Sequence, residues 1–278
     1  MKRQRNREAK TEVKFVLALR RGTCWCIYKM GKSYEDEKIL SYNDVVLRRS
    51  DLGILSGPYF LNDRIIEFYF SYLASSYPTK DILLVPPSIA FWIMQCPVVE
   101  SLRDFLEPLH LSEKTLVIFP INNNDDVSLA EGGSHWSLLV YYRNANNFVH
   151  HDSLNGMNRV PAKKLYKAVV GYMGMGVSDS ASEAEFLECS DSPKQRNGHD
   201  CGLYVIAIAR VICSWYVDSK NTGLNGLWFS DVKEQVKPSV VAEMRSEILT
   251  LIRGLRRHQE NHVFEPVAPY PAKADLIQ

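Results

Sequence analysis

Nowhere in the 278 residues do 18 uncharged apolar residues run together, roughly the least a helix needs to cross a bilayer, so no membrane span or membrane partner is expected. Cysteine is sparse. Six thiols in a chain of this length do not make a dense disulfide framework. The apolar stretch after the basic start, FVLAL, is cut off by Arg20 and Arg21 before it can serve as a secretory signal. A reducing setting, cytoplasmic or nuclear, is the expectation, with thiols free to react. Cys24 and Cys26 are spaced as Cys-x-Cys, which is not a finger spacing, and no second pair follows nearby. No metal and no cofactor is therefore expected. Net charge is nearly absent at +1, but it is unevenly spread. Residues 1–32 hold ten Lys/Arg and two acids, a net of +8, which leaves −7 for the rest. A mildly acidic body argues against a nucleic-acid enzyme and suits a basic protein partner.

Hydrophobic residues, at 46%, suffice for a real core. Residues 1–38 are polar and basic without periodicity and read as a flexible extension. From 39 to about 258 the pattern is that of one α+β domain, a central sheet flanked by helices. LNDRIIEFYFSYL places Ile65, Ile66, Tyr69, Phe70 and Leu73 on one helical face behind Asn62 or Asp63 as N-cap. Pro87 opens a second helix and Pro161 a third, through Tyr172. ILLV (82–85), TLVIFPI (115–121) and EFLEC (185–189) read as strands. WSLLVYY (136–142) and NFVHHD (147–152), joined by RNAN, read as a hairpin. GLYVIAIARVICSWY is too long and too apolar for anything but a helix packed on most sides, and Val241 to Leu255 carry the last amphipathic one. Residues 259–278 contain prolines and no period, and read as a loose tail.

Within QRNGHDCGLYVIAIARVIC, the turn residues Asn197 to Asp200 precede a helical run, which places Cys201 in a first turn. Unpaired N–H groups and the helix dipole favour negative charge there, the condition under which a cysteine is a nucleophile. Gly202 directly after it leaves room for a substrate to approach the sulfur. Cys96 and Cys213 read instead as small apolar core residues. A thiolate needs a histidine, and that histidine needs an orienting acceptor. His199 is adjacent, but two positions before the cysteine its ring tends to point elsewhere. His150 and His151 end a strand, and one of them can serve. His135, delivered by the Gly-Gly loop of GGSHW to the start of a strand, is the best placed. Asp152 closes the next strand of that hairpin, and the start of one antiparallel strand lies beside the end of the next. Gln195 and the backbone N–H of Cys201 supply two donors for an oxyanion.

SHWSLLVYY, HHDS and QRNGHDCGLYVI resemble the His-Trp, Asp-Ser and Gln-(x)₅-Cys-Gly boxes of the Ulp/sentrin-specific cysteine proteases. The resemblance runs from about Ile39 to Tyr216 and implies a papain-like fold with its site residues in the order His, Asp, Cys. It implies cleavage after the C-terminal Gly-Gly of a ubiquitin-like modifier. FLEPLHL, INNNDDVSLAEGGSHWSLLVYY and LSYNDVVLRRSDL resemble the deneddylase branch, so the implied partners are a Nedd/Rub-like modifier and its conjugates, such as cullin-type proteins, met by a monomer. Matching positions assign Cys201 as nucleophile, His135 as base and acid, Asp152 as orienter and Gln195 as oxyanion donor. Trp136 and Phe60 would wall a tunnel over the Gly-Gly segment, Phe60 standing where the family has tryptophan. Asp63, with Asp125 and Asp126 as weaker candidates, would meet the modifier's basic tail. Two other readings stay open: a protease for SUMO, and a protein that binds a modifier without cutting it.

Overall fold

The computed structural model describes residues 37–96, 99–129, 132–174, 184–222 and 226–263. Cys24 and Cys26, with residues 1–36 and 264–278 of the two terminal segments, lie outside them. A hairpin, β1 (Lys38–Tyr42) and β2 (Val45–Arg48), leads into α1 (Arg49–Leu55) and then α2 (Asp63–Ser76). Next come β3 (Ile82–Leu84), α3 (Pro87–Gln95), α4 (Val99–Leu106), β4 (Leu116–Asn122), β5 (Trp136–Tyr142) and β6 (Asn147–His151). The chain continues through α5 (Arg159–Val169), β7 (Glu185–Glu188), α6 (Cys201–Thr222), α7 (Phe229–Gln235) and α8 (Pro238–Val263).

Strands β3 to β7 form one sheet in sequence order. The outer pairs β3–β4 and β6–β7 are parallel and the inner ones antiparallel, so the sheet is mixed. Both faces are covered, which is why β4 and β5 are almost continuously apolar rather than alternating. Ile118, Leu138, Val140 and Val149 face one core with α2 and α6. Val117, Phe119, Leu139, Tyr141 and Phe148 face the other with α3, α4 and α5. Pro120 is tolerated inside β4 because β3 has already ended. The last bond across that edge runs from Val85 N–H to Ile118 O, so no neighbour awaits an N–H at 120.

The structure departs from the sequence pattern at four places. The β1–β2 hairpin, α1, α4 and α7 were not anticipated; α1 and α7 are each seven residues, too short for a helical period to show. Helix α8 continues to Val263, past the boundary set at 258. Helix α5 starts at Arg159 and ends at Val169, a 3₁₀ turn completing it to Tyr172. By length and composition Cys201–Lys220 would suffice to cross a bilayer, which a search for uncharged runs misses because Arg210 interrupts it. With 72% of its most apolar window buried, that helix instead forms the centre of the core.

Candidate active site

The β5–β6 ladder ends at the pair Leu138–His151, and the residues just beyond it on the two arms approach each other. His135 Nε2 meets Asp152 Oδ1 at 2.7 Å, both side chains almost fully buried. Asp152 is fixed by two further donors, the N–H of Leu154 to Oδ1 at 2.7 Å and the N–H of Asn158 to Oδ2 at 2.8 Å. Burial pushes the Asp152 carboxyl up, but the imidazole and these two amides outweigh it and hold it at about 2. Burial pulls the His135 imidazole down, and the hydrogen bonds and charges of Asp152 and Cys201 more than reverse this, raising it to about 9. At neutral pH the ring is therefore a cation next to a carboxylate. Its other nitrogen, Nδ1, is buried and accepts or donates no well-aligned bond at rest, although the Cys201 sulfur is near enough to act on the ring.

Cys201 is the first residue of α6 and is fully buried among core residues. An anion at its sulfur would face the unpaired amides of a first helical turn and the imidazolium of His135. Gly202 has a different reason from the one read in the sequence. A Cβ there would lie 2.8 Å from the Cβ of Leu61, so the glycine admits the Leu61 side chain rather than a substrate. Leu61 is also where the hairpin is anchored, its carbonyl accepting the Trp136 indole N–H at 2.9 Å.

Gln195 is tied to the Asp152 turn. Its N–H reaches Ser153 O at 3.2 Å, and its Oε1 accepts the Ser153 hydroxyl at 2.6 Å. The Asn197 carbonyl, which can only accept, makes the nitrogen of the amide the end that faces it. Nε2 gives one hydrogen to Asn197 O at 2.7 Å and has a second to offer.

Phe60, Asp63, Trp136 and His135 line a cavity of about 500 Å³ shared with Trp92 of α3 and Leu129 of the loop before β5. Trp136 is buried with its indole fixed, whereas Phe60 is 48% exposed and forms an open wall. Asn62, not Asp63, is the N-cap of α2, accepting from Ile65 N–H at 3.1 Å; Asp63 is thereby free to stand exposed at the cavity's rim. Asp126 spends its carboxylate on Ser128, at 2.8 Å to the N–H and 2.6 Å to the hydroxyl, and Asp125 is exposed.

The three histidines nearest in sequence to Asp152 and Cys201 stay out of the pair. His199 is part-exposed, 3.6 Å from Asp200. His150 sits between Ser137 Oγ and Glu188, each at 2.9 Å. His151 lies between Ser192 Oγ and the indole N–H of Trp228, each at 2.9 Å, and burial drives it down to about 3, a neutral acceptor. Among the described residues no group of three or more His, Cys, Asp or Glu could hold a metal ion.

Two asparagines that the sequence reading passed over hold the site together. Asn123 Oδ1 accepts the N–H groups of Ser134 at 2.7 Å and His135 at 3.0 Å. Asn158, fully buried, donates from Nδ2 to the carbonyls of Ile121 and His135, each at 3.2 Å. The Gly-Gly before His135 serves this scaffold. A Cβ at Gly132 would overlap the Asn124 side chain at 2.4 Å, and one at Gly133 (φ +82°) the Asn122 Oδ1 at 1.9 Å.

Residues 59–248 match the Ulp1 protease family, C-terminal catalytic domain. The chain belongs to the Ulp1 protease family. Two curated relatives extend the likeness across most of both chains. NEDD8-specific protease 1 of Arabidopsis thaliana is 54% identical over 226 residues, covering 81% of this chain and 97% of that protein. Sentrin-specific protease 8 of Homo sapiens is 33% identical over 225 residues, covering 80% and 99%. Among solved structures, the Ulp1 protease domain in complex with Smt3, the yeast ortholog of SUMO, superimposes with a TM-score of 0.56 at 21% identity, covering 81% and 90%. At that identity the likeness is one of fold. It agrees with the α+β, papain-like architecture that the family resemblance implied.

Proposed function

We propose that this member of the Ulp1 family is a thiol protease and isopeptidase that cleaves after the C-terminal Gly-Gly of a Nedd/Rub-like modifier, in precursors and in conjugates. The observation that carries the choice of modifier is the 54% identity to NEDD8-specific protease 1, against 21% for the SUMO-bound structure. Conjugates to cullin-type proteins as substrates, a monomeric working state and a cytoplasmic or nuclear setting belong to the same proposal.

In this reading the Cys201 sulfur adds to the carbonyl carbon of the modifier's terminal glycine, and the π electrons move onto oxygen. The free Nε2 hydrogen of Gln195 and the Cys201 N–H donate to that oxyanion; losing one such donor costs about 10²–10³ in rate. His135, protonated in its pair with Asp152, passes its proton to the leaving amine as the C–N bond breaks, and a thioester remains. Water then attacks the thioester as His135 takes its proton. The C–S bond then breaks, the sulfur leaves as a thiolate beside the His135 imidazolium, and the glycine carboxylic acid gives its remaining proton to solvent as the modifier departs. Trp136 and Phe60 enclose the glycines, whose lack of side chains lets a chain pass between aromatic walls.

A C-terminal fluorogenic reporter on a Nedd/Rub modifier and one on SUMO, offered in parallel, test this reading. Preferential cleavage of the first is expected, and abolished turnover in Cys201→Ala with binding retained. Preference for SUMO overturns the modifier assignment. Binding without cleavage, and no adduct at Cys201 with a vinyl-sulfone probe, overturns the chemistry.

A further inference from the structure

Helix α8 lies outside the site, yet one of its side chains touches both walls of it. Arg245 Nη1 donates to Ile54 O at 3.1 Å, at the end of α1. Its Nη2 donates to Tyr59 O at 2.7 Å, one residue before Phe60. The same nitrogen meets Asp200 Oδ1 at 3.0 Å, one residue before Cys201. The pair is well screened from water, 14% and 12% exposed at the side chains, and the planar fork suits a donor that must reach several oxygens at once.

Asp200 passes the contact on. Its other oxygen accepts Asn197 Nδ2 at 2.6 Å, and its own N–H reaches Asn197 Oδ1 at 3.0 Å. Asn197 O accepts Gln195 Nε2 at 2.7 Å, and Gln195 Oε1 accepts Ser153 Oγ at 2.6 Å, next to Asp152. An unbroken chain of bonds thus runs from the Phe60 segment through Arg245 to the Gln195–Cys201 loop. The neighbours of Arg245 on α8, Met244 and Ile248, are fully buried, so the helix that presents it is itself fixed. His199 also approaches Asp200, at 3.6 Å, but from a part-exposed position.

We infer that Arg245 is a positioning residue, setting the spacing between the Phe60 wall of the tail cleft and the loop that carries Gln195 and Cys201. It touches neither the substrate nor the reacting atoms. The inference rests on the proposed cleavage reaction for its kinetic consequence but not for its structural one. Misplacing reacting groups by about 1 Å costs up to about 10²-fold, so Arg245→Met should lower kcat/KM on the modifier reporter roughly ten- to a hundredfold, with KM rising as well as kcat falling. Arg245→Lys keeps the charge for Asp200 but not the fork, and should recover kcat more than KM.

Hydrogen–deuterium exchange provides a readout independent of turnover. In Arg245→Met both segments, 57–61 and 196–201, should exchange at least tenfold faster together, while the interior of α6 stays protected. Asn197→Ala should loosen only the second segment. Faster exchange in one segment alone, or exchange rising everywhere with a falling melting temperature, overturns the inference. So does kcat/KM within twofold of the parent, provided the parent cleaves. A parent that cleaves neither reporter overturns the proposed function, and the exchange experiment then still decides the role of Arg245.

Discussion

Leu61 makes two contacts that lock the site's halves together: its carbonyl accepts the Trp136 indole N–H at 2.9 Å, and its side chain occupies the space above Gly202. Leu61, just ahead of the Asn62 cap of α2, thereby binds the hairpin that carries His135 and the helix that begins with Cys201.

Gly202→Ala should be costly for that reason. The new methyl would stand 2.8 Å from Leu61 Cβ, closer than real Cβ atoms approach, so the chain at Leu61 or the start of α6 must shift. Overpacking of this kind destabilises by about 1–3 kcal/mol, and here it would also shift the nucleophile. Denaturant melts and kcat/KM measured on the same preparation should both fall. An unchanged melt with normal turnover would show that α2 can move aside.

The His135–Asp152 pair sets a pH profile. His135 is raised from 6.5 to about 9, so its contribution to stability is complete below about 6.5 and is lost as pH rises through about 9. Asp152 is lowered from 3.8 to about 2, so its contribution is present above about 4 and is lost as pH falls toward 2. The alkaline limb of kcat/KM should lie near pH 9, and Asp152→Asn should move it down toward the ordinary imidazole range. NMR titration of the His135 ring follows the shift directly; a limb indifferent to Asp152→Asn would mean that another group governs it.

His151→Ala should act on stability rather than on chemistry. Cutting the ring away strands the buried Trp228 N–H and opens a cavity beneath the most voluminous fully buried side chain, a loss of about 2–4 kcal/mol. With Nε2 accepting from Trp228 and burial holding the ring neutral, His151 is no imidazolium acid at neutral pH. The measurement is kcat per folded molecule beside a urea melt. A large fall in kcat with an intact melt would reassign the base.

Phe60→Trp should hold or raise turnover of Gly-Gly substrates. Phe60 is 48% exposed on one side of the cavity, so a larger ring has room and adds stacking surface over the glycine backbone. Steady-state kinetics on the reporter checks this; a sharp loss would show that the wall is fitted to phenylalanine.

The opposition of His135 and Asp152 was legible because it follows from local pattern alone. Two alternating or apolar runs, a short polar turn and antiparallel geometry bring the hairpin's outer ends together. The turn before Cys201 was legible in the same way, as turn residues ahead of a helical run. What escaped were partners brought together by tertiary packing. Nothing near Gly202 announces Leu61, and space for a substrate was the natural reading of a glycine beside a nucleophile. Asn123, Asn158 and Arg245 look like ordinary surface residues in sequence, since polarity predicts exposure. Each is informative only once its acceptors, scattered across the chain, are in place. His151 was ambiguous for the converse reason: strand-end position does not distinguish a base from a core acceptor, and only burial against Trp228 does.

The two ends of the β5–β6 hairpin carry acid and base, while the sulfur comes from a helix that starts well after that hairpin closes. A chain in which the sheet has zipped but α6 has not yet docked therefore holds a charged relay with nothing to activate. Peptidase competence thus requires α6 to be docked on the sheet, and a molecule in which that helix has come away has lost its nucleophile from the pair.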